Sequence, residues 1–538
     1  MPSKFDTRSV ALVLAIIVAI AGWGMYFFAP QVKEVIVEKQ VDIRYGRSLT
    51  VACRDDIRTF DYFMITDYWS SLIASQIYER LFTIDDTLRI QPGLVETWEQ
   101  PNNLTYIFHL RKGVKFHSGE ELTSDNIKFI FDNGSNQSFG AAIYRNLKII
   151  SKTEIIDKYT VKVTLKEPYA PFLTDLATNV FIGSKQEYEK WGKDYGTKHP
   201  SGTGPFKFVE WQKDSHVILA RNDEYWAGKA FLERVTFRII PEADVRLTEL
   251  QTGGVDVIQE LRASDINILK NDNRFKLDSD VTLSQFFMAF NFRTNWTGPS
   301  TNLKFRQGVA AVADYDLAVK TFLGDAGIRS YSKLAPTSWA YDPEIKNYYP
   351  AYNETNAKQL IEQAYAELGL PKDYTIIMLC RQDPDRERIA TYLQSQLMKI
   401  GLKVSLTVLP GAALGDKLAE GKWDIAISGA GGNPDPSVMF RLLMTENIGY
   451  GNDAFYSNPV MDKLLVEARK TTDMAQRKEL YIQVQRLMAT ELVELPLFHR
   501  IGYYAYNAKI NGFTVNSLEH LRLRYVAGQS EWNVWISP

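Results

Sequence analysis

Cysteine, histidine and an excess of either charge are all scarce in this chain. Its 538 residues include 2 Cys and 6 His, and 62 Lys and Arg stand against 64 Asp and Glu, for a formal net charge of -2. A near-neutral chain has no basic footprint for a phosphate backbone, so we expect no nucleic-acid partner. Cys53 and Cys380 allow one disulfide and define no metal site, and the sequence leaves their pairing open.

The short motifs of the common enzyme classes are also missing. The chain contains no G-x-S-x-G, no G-x-x-x-x-G-K followed by Ser or Thr, no H-E-x-x-H and no paired C-x-x-C. No two histidines have the i, i+4 spacing that places both on one helix face, which argues against a transition-metal cage. We therefore expect no catalytic residues, no cofactor and no resident metal. An exported hydrolase has no candidate nucleophile and base.

One long apolar run is present, and it lies at the N-terminus. Val10 to Ala29 carries no charge over 20 positions, which is about 30 Å of helix and matches a bilayer core. Cleavage after residues 19–21 would leave the apolar GWGMYFFA at the mature end, where a processed protein normally starts polar. We expect residues 1–30 to be an uncleaved signal-anchor and 31–47 a tether, which holds the folded part outside the cytoplasmic membrane. A cleaved signal and a soluble periplasmic protein is the alternative.

Strand and helix patterns alternate from Ser48 onward. Leu104–Phe116 alternates as two strands with Lys112-Gly113 as the turn between them, and residues 204–260 form a mixed α/β unit. From Gln285 the strand and helix units alternate, which predicts a largely parallel sheet covered by helices. Aromatic residues reach 12%, which suits a cleft lined by flat amphipathic rings, with a large aromatic core as the alternative.

Several stretches in sequence order carry a resemblance to a known family. They are TYIFHLRKGVKFHSGEELTSDNIKF (105–129), FDYFMITDYWSSLIASQIYERLFTIDD (60–86), SGTGPFKFVEW (201–211), FRQGVAAVADYD (305–316) and YSNPVMDKLLVEAR (456–469). The chain resembles the extracytoplasmic solute-binding proteins of ABC importers, family 5, which includes dipeptide-, oligopeptide- and nickel-binding receptors. The similarity runs from about Ser48 to the C-terminus.

The resemblance implies an α/β fold of the periplasmic-binding-protein type (type II, cluster C). It implies three lobes, with a hinge and a ligand cleft between the first and the third. Lobe I is expected at 48–80, 205–285 and 507–538, lobe II at 81–204, and lobe III at 286–506. Lobe closure on a μs to ms timescale would then be the signal that an importer reads, and no bond would be broken.

Two candidate ligand-binding elements follow predicted strands of lobe III. Ligands of α/β proteins gather at the carboxyl ends of strands, and the strand WDIAIS is followed by a loop whose glycines allow close backbone approach. An ordinary tight turn is the alternative for this loop, which comprises Gly429, Ala430, Gly431, Gly432 and Asn433. Arg381 follows the strand YTIIMLC, and a salt bridge to Asp383 or Asp385 is the slightly preferred alternative for it. Asp435-Pro436 is explained as a helix N-cap followed by the first helical residue.

Further candidates lie in lobes I and II. Arg145 corresponds to positions that face the cleft in related receptors, and its guanidinium could grip a carboxylate, with a solvated surface residue as an equal alternative. Tyr62, Phe63 and Tyr68 lie between the first strand and the first helix, where they could stack on a ligand or pack the lobe interface. For Trp69 we favour packing.

One position departs from the pattern of the peptide receptors that the chain resembles. In those receptors an Asp just before the Asp-Pro pair grips the free α-amine of the peptide, and alignment on Asp435-Pro436 places Gly432 there. A buried ammonium without a counter-charge is unfavourable by several kcal/mol. We therefore expect a peptide held through its backbone, an N-blocked or cyclic peptide, or a neutral polar solute such as an oligosaccharide.

The function predicted from the sequence is a substrate-binding receptor of an ABC importer for a peptide or a similarly sized polar solute. Its expected partners are that solute, the permease and ATPase subunits, and the membrane through the N-terminal helix, with a monomeric receptor. A membrane-anchored sensor or scaffold with the same fold is the first alternative, and an oligosaccharide receptor is the second. The ligand stays unidentified at this level.

Overall fold

The computed structural model describes residues 42–519, 521–524 and 533–538. The predicted signal-anchor and the tether up to residue 41 lie outside the described residues. Within the described part of the chain, no helix has the length and apolar character needed to cross a bilayer.

The strands follow the alternating segments of the sequence. They are β1 (Ser48–Cys53), β2 (Phe82–Ile84), β3 (Ile90–Pro92), β4 (Val95–Asn102), β5 (Thr105–Leu110), β6 (Ile150–Asp157), β7 (Thr160–Leu165), β8 (Phe206–Gln212), β9 (His216–Arg221), β10 (Arg234–Ile239), β11 (Val257–Gln259), β12 (Phe275–Phe290), β13 (Gly327–Arg329), β14 (Thr375–Arg381), β15 (Lys403–Leu409), β16 (Ile425–Ala430), β17 (Glu494–Asn507), β18 (Ile510–Asn511) and β19 (Trp535–Ile536).

Most of the helices begin at a polar N-cap and bury one apolar face. They are α1 (Tyr68–Ile77), α2 (Ser124–Gly134), α3 (Tyr144–Leu147), α4 (Phe172–Thr178), α5 (Lys185–Trp191), α6 (Tyr195–Lys198), α7 (Ala243–Thr252), α8 (Ala263–Leu269), α9 (Leu303–Ala311), α10 (Tyr315–Leu323), α11 (Glu354–Leu368), α12 (Pro384–Lys399), α13 (Gly411–Glu420), α14 (Pro436–Phe440), α15 (Pro459–Lys470) and α16 (Met474–Glu491).

One large mixed sheet forms the centre of the molecule. Its strand order is β15-β14-β16-β12-β17-β11-β1-β10-β9-β8, and β13 pairs with β17. β14 runs parallel to β15 and β16, as the sequence predicted for lobe III, whereas β12 is antiparallel to β16 and β17. The prediction of a largely parallel sheet is therefore correct only for β15, β14 and β16.

The two long strands β12 and β17 carry the sheet from one half of the molecule to the other. Phe275 to Val281 of β12 pairs with the end of β17, and Gln285 to Ala289 pairs with its beginning. The register shifts between Val281 and Gln285, where the strand bends as β-bulges do. This register shift on β12 adjoins the predicted lobe boundary at 285. On β17 the register shift falls between Ile501 and His499, whereas the boundary was predicted after 506.

Lobe II contains a separate antiparallel sheet of order β4-β5-β7-β6. β5 matches the predicted strand, but the predicted hairpin across Lys112-Gly113 is wrong. Both edges of β5 are already paired, with β4 and β7, so no edge is left for residues 114–116. Those residues pair locally instead, through a bridge between Lys115 and Glu121.

The SGTGP segment packs against the end of α1, and its glycines allow this contact. A Cβ on Gly202 would lie 2.1 Å from the backbone oxygen of Ile77, and one on Gly204 would lie 2.7 Å from it. Beside them the Glu79 carboxylate accepts hydrogen bonds from Thr203 Oγ1 at 2.7 Å and from two aromatic side chains, Tyr225 and Trp226. Burial raises the pKa of Glu79 to about 7.

The two cysteines do not pair. Cys53 and Cys380 are both free thiols, and each is fully buried. Cys53 belongs to the apolar core shared by lobes I and II, and Cys380 belongs to the core of lobe III. The disulfide that the sequence left open is therefore not formed.

Lobes II and III touch directly. The Ala170 amide donates a hydrogen bond to the Arg469 carbonyl oxygen at 2.8 Å, and Glu167 pairs with Lys470 at 3.1 Å. Lobes II and III are therefore in contact at residues 167–170 and 469–470.

The glycine packing at α1 gives a first prediction. We expect Gly202→Ala to destabilise the fold by about 1–3 kcal/mol because its methyl group would overlap the Ile77 carbonyl. Gly415→Ala is the matched control, since a Cβ there meets nothing within 4 Å and the residue lies inside α13; it should stabilise by about 0.5–1 kcal/mol. Urea unfolding of both variants measures the difference, and equal midpoints would contradict the close approach.

Candidate functional site

The crossing strands present a cluster of charged groups where lobes I and III meet. Arg500 of β17 forms salt bridges with Asp383 at 2.7 Å and Asp385 at 2.9 Å, both at the start of α12. The guanidinium carbons of Arg386 and Arg500 lie 4.5 and 4.6 Å from the centroid of the Phe286 ring. This cluster therefore combines cations with an aromatic ring.

The lobe I side of this cluster carries two carboxylates. Glu260 pairs with Arg54 at 3.2 Å, and Glu519 has no salt bridge to any described residue. Both glutamates have positive φ, 58° and 55°, a conformation in which most side chains are strained. Burial, followed by the nearby Glu260, raises the pKa of Glu519 to about 7, while Arg500 acts in the opposite direction.

The chain end that contributes Glu519 lies across the hinge. The Leu283 amide donates to the Ser517 carbonyl at 3.2 Å, and the Val515 amide donates to Asp278 Oδ2 at 3.1 Å. Tyr504 of β17 donates through its hydroxyl to the Glu519 carbonyl. The segment 515–519 is thus fixed to both crossing strands.

The predicted loop at 429–433 lies at this junction. Gly429 and Ala430 still belong to β16 and pair with β12, and a Cβ on Gly429 would lie 2.9 Å from Arg386 Nη2. Gly432 approaches the hinge closely, since its Cβ would lie 2.1 Å from the Leu283 Cβ and 2.3 Å from the Leu283 carbonyl carbon. The position aligned with the amine-binding Asp therefore has no room for a side chain.

Asp435 has the structural role that the sequence predicted. It caps α14 through a 2.9 Å hydrogen bond from the Ser437 amide, with Pro436 next in the helix. The sequence did not reveal its second partner, Arg477, which binds both carboxylate oxygens at 2.7 and 2.8 Å in a fully buried pair. Both Asp435 oxygens are used, so this carboxylate cannot replace the missing Asp.

Arg381 is exposed and does not form the expected salt bridge. Asp383 and Asp385 pair instead with Arg500 and with arginines of α12. The Arg381 guanidinium lies beside Gly411 at the start of α13, where a Cβ would be 3.2 Å from its Nε.

The aromatic candidates of lobe I separate into two groups. Tyr62 and Phe63 are fully buried and pack against each other and against Tyr188 of lobe II. Trp69 is also buried, as favoured from the sequence. Tyr68 is 38% exposed, and its hydroxyl donates to Gln259 Oε1 at 2.9 Å, beside the two carboxylates. Of these four residues, Tyr68 is the exposed one.

Arg145 is exposed on α3 and borders a recess between lobes I and II. The recess is small, with a volume of about 50 Å³. Its polar wall residues are Thr66, Ser71, Arg145, Asn146, Thr178 and Asn179. No acidic residue lines it.

The hinge itself contains buried polar atoms with no protein partner. The Gln285 side chain is fully buried, and neither its amide nitrogen nor its oxygen bonds to another described residue. The Thr282 hydroxyl and His499 Nε2 are also buried without a hydrogen-bond partner among the described residues. Burial lowers the pKa of His499. Such groups normally bind water or exchange partners.

The described residues contain no group of three or more His, Cys, Asp and Glu side chains placed to hold a metal ion.

Comparison with known proteins identifies the family. Residues 89–451, more than half of the chain, match the model of the bacterial extracellular solute-binding proteins, family 5. The chain belongs to this family. It is a substrate-binding receptor of the kind that serves ABC importers.

Individual relatives span nearly the whole chain. Heme-binding protein A of Haemophilus influenzae is 30% identical, with 82% of this chain and 84% of that protein covered. The dipeptide-binding protein of Escherichia coli is 29% identical, with 82% and 87% covered. Among solved structures, the periplasmic binding protein DppA from Helicobacter pylori in complex with the peptide STSA is 25% identical, with a TM-score of 0.76 and coverage of 92% and 99%.

The close contact at Gly432 gives a second prediction. Gly432→Asp restores the expected carboxylate in sequence but should not create an amine site, because its Cβ would overlap Leu283. We expect it to lower the melting temperature by several degrees, as for about 1–3 kcal/mol of overpacking. Gly431→Asp is the control, since a Cβ there meets nothing within 4 Å. If Gly432→Asp melts like Gly431→Asp, the loop does not contact the hinge as described.

Proposed function

We propose that this receptor captures a peptide or a similarly sized polar solute between lobes I and III and presents it to a membrane permease. The feature that carries this proposal is the pair of crossing strands, β12 and β17, which join the two lobes and shift register where they pass between them. Two strands bent at one level are a natural hinge. The contact between Ala170 and Arg469 supports a state in which the lobes are closed.

The proposed ligand contacts surround this hinge. They are Tyr68 from lobe I, Arg145 from lobe II, and Arg381 with residues 429–433 from lobe III. Four residues that no sequence pattern indicated join them: Glu260, Glu519, Arg386 and Arg500. Tyr62 and Phe63 do not belong to the proposed set, because both are fully buried.

The rest of the proposed role concerns the surroundings of the receptor. Residues 10–29 would anchor the receptor to the outer face of the cytoplasmic membrane, where the permease and ATPase subunits complete the importer. The receptor itself would be a monomer. It would release its solute unchanged. The apolar character of that run supports the anchor, and the family supports a location outside the cytoplasm.

Relatives named for peptide binding, and the STSA complex of DppA, support a peptide as the ligand class. The lack of space at Gly432 and the full use of Asp435 support peptides held without an α-amine clamp from this loop. Should acetylation nevertheless abolish binding, Glu519 is the first carboxylate to test, because it has no salt bridge to a described residue and its backbone carbonyl oxygen accepts from Tyr68 and Tyr504.

Closure gives a third prediction. A bound solute should shift small-angle scattering toward a smaller radius of gyration, because residues on two lobes must contact it together. Glu167→Lys, which reverses the charge opposite Lys470, should weaken this shift, whereas Lys152→Glu on the outer edge of lobe II should leave it unchanged. Identical scattering with and without a solute that is shown to bind would rule out the closure mechanism.

Selectivity for the peptide N-terminus gives a fourth prediction. In calorimetry with di- to pentapeptides, N-acetylation should change Kd less than tenfold, because the loop offers no carboxylate for the amine. A free peptide with micromolar affinity that acetylation abolishes would contradict this expectation. Repeating that titration with Glu519→Gln would then show whether Glu519 holds the amine.

A further inference from the structure

We propose that Gln285 is a positioning residue for lobe closure. Its side-chain amide has no partner in the conformation described here and gains partners when the hinge bends, so it biases the free receptor toward separated lobes. The inference rests on the proposed closure mechanism. It adds a residue that sets the affinity for the solute from inside the hinge.

The fold leaves the Gln285 side chain unpaired at both ends. It is fully buried, and its amide nitrogen and oxygen both lack a hydrogen-bond partner among the described residues. Other buried amides are bonded at both ends. Gln485 accepts from Ser332 Oγ at 2.7 Å and donates to the Ala340 carbonyl oxygen at 2.8 Å, and Asn452 also donates and accepts. Burial of an amide that loses its bonds to water and finds no others is unfavourable.

Gln285 lies between two irregularities of the crossing strands. On one side of it, residues 282–284 of β12 lie opposite Arg500 of β17 alone, and on the other side the register shifts again between Phe286 and Phe287. Register shifts of this kind bend a strand and re-aim the side chains next to them. Bending at this level therefore turns the Gln285 amide relative to both flanking parts of the sheet.

A second unpaired group lies at the other end of the same irregular segment. The Thr282 hydroxyl is buried and lacks a hydrogen-bond partner among the described residues. Its side chain packs beside Gly502 of β17, where a Cβ would lie 2.9 Å from Thr282 Cγ2 and 3.2 Å from Glu519 Oε1. Polar side chains at both ends of the segment 282–285 are thus unpaired in one conformation, so the unfavourable burial belongs to the hinge as a unit.

The conformation in which these groups are unpaired has the lobes in contact. Lobes I and II share one apolar core, and lobe II contacts lobe III through the Ala170 amide and the pair of Glu167 with Lys470. The unfavourable burial therefore falls on the closed state. In the open state an amide that turns out of the sheet can bond to water through two donors and two lone pairs. A less populated closed state lowers the apparent affinity for a solute that requires it.

Two substitutions of matched shape test the inference. Gln285→Met keeps an unbranched side chain and removes both unpaired atoms, and Thr282→Val removes the unpaired hydroxyl. Thr153→Val is the control, because the Thr153 hydroxyl is also buried and unpartnered but lies on β6 of lobe II. All three variants should melt at or above the wild-type temperature, because each removes an unsatisfied polar group.

The closed state can be measured on the full chain without a solute. Carbodiimide cross-linking joins Glu167 to Lys470 as an amide when lobes II and III are in contact. Mass spectrometry then quantifies this product against the product of Lys158 with Glu121, which lies within lobe II. Gln285→Met should raise the ratio by about twofold or more, because it removes the bias toward separated lobes.

Affinity provides the second measurement. In calorimetry with the peptide Ser-Thr-Ser-Ala, Gln285→Met should bind about three- to tenfold more tightly than the wild-type protein. Thr282→Val should change the affinity and the cross-link ratio in the same direction. Thr153→Val should change neither, since its unpaired hydroxyl is the same in both states of the hinge.

Three results would overturn the inference. The first is a set of variants that all melt higher while the cross-link ratio and Kd stay at the wild-type values, because the unpaired groups would then affect only general stability. The second is a Gln285→Met variant that melts well below the wild-type protein, because its amide would then have a partner. The third is a cross-link ratio that falls. Failure of the receptor function would look different: the peptide would bind to no variant, while the ratio without peptide would still respond to Gln285→Met.

Discussion

Everything that this receptor does depends on two strands that are shared by two lobes. β12 and β17 belong to one hydrogen-bonded sheet from end to end, so the lobes cannot separate without bending these strands at the level of the register shift. The segment 515–519 bonds to both strands at that level. In the proposed closure these strands would limit the motion, and their pairing already brings Arg500, Glu519 and the 429–433 loop together.

Some buried charges in this protein are neutralised by an ion-pair partner, and others have no such partner. Asp435 with Arg477, and Lys333 with Glu494, are fully buried ion pairs, and breaking such a pair costs about 3–5 kcal/mol. Glu519 has no such partner among the described residues, and burial raises its pKa to about 7, so protonation lowers the cost of burying it.

Local patterns in the sequence predicted the parts of the fold that depend on neighbours along the chain. The alternation of Thr105–Leu110 and the Asp435 cap with Pro436 were both predicted, because strand alternation and capping act over a few residues. The hairpin at Lys112-Gly113 was wrong because the pairing of β5 is decided by β4 and β7. No local signal reports which edge of a strand is already occupied.

The candidate site shows the same division between local and distant information. The loop at 429–433 could be located because it follows a strand of an α/β sheet, whereas its contact with Leu283 joins distant parts of the chain. The expected Arg381 salt bridge does not form for this reason, because Asp383 and Asp385 both pair with Arg500 of β17. The sequence carries no signal for Glu519, because a residue's charge is visible in the sequence and its lack of a partner is not.

The two unpaired thiols have a consequence for how this protein matures. An extracytoplasmic chain folds in an oxidising compartment, where exposed cysteines are joined into disulfides. Cys53 lies in the first strand and Cys380 lies in a different core, and burial raises the pKa of both thiols, which keeps them in the unreactive protonated form once folded. Each core must therefore close over its cysteine before an oxidant reaches the thiol. Any event that reopens either core exposes that thiol to oxidation again.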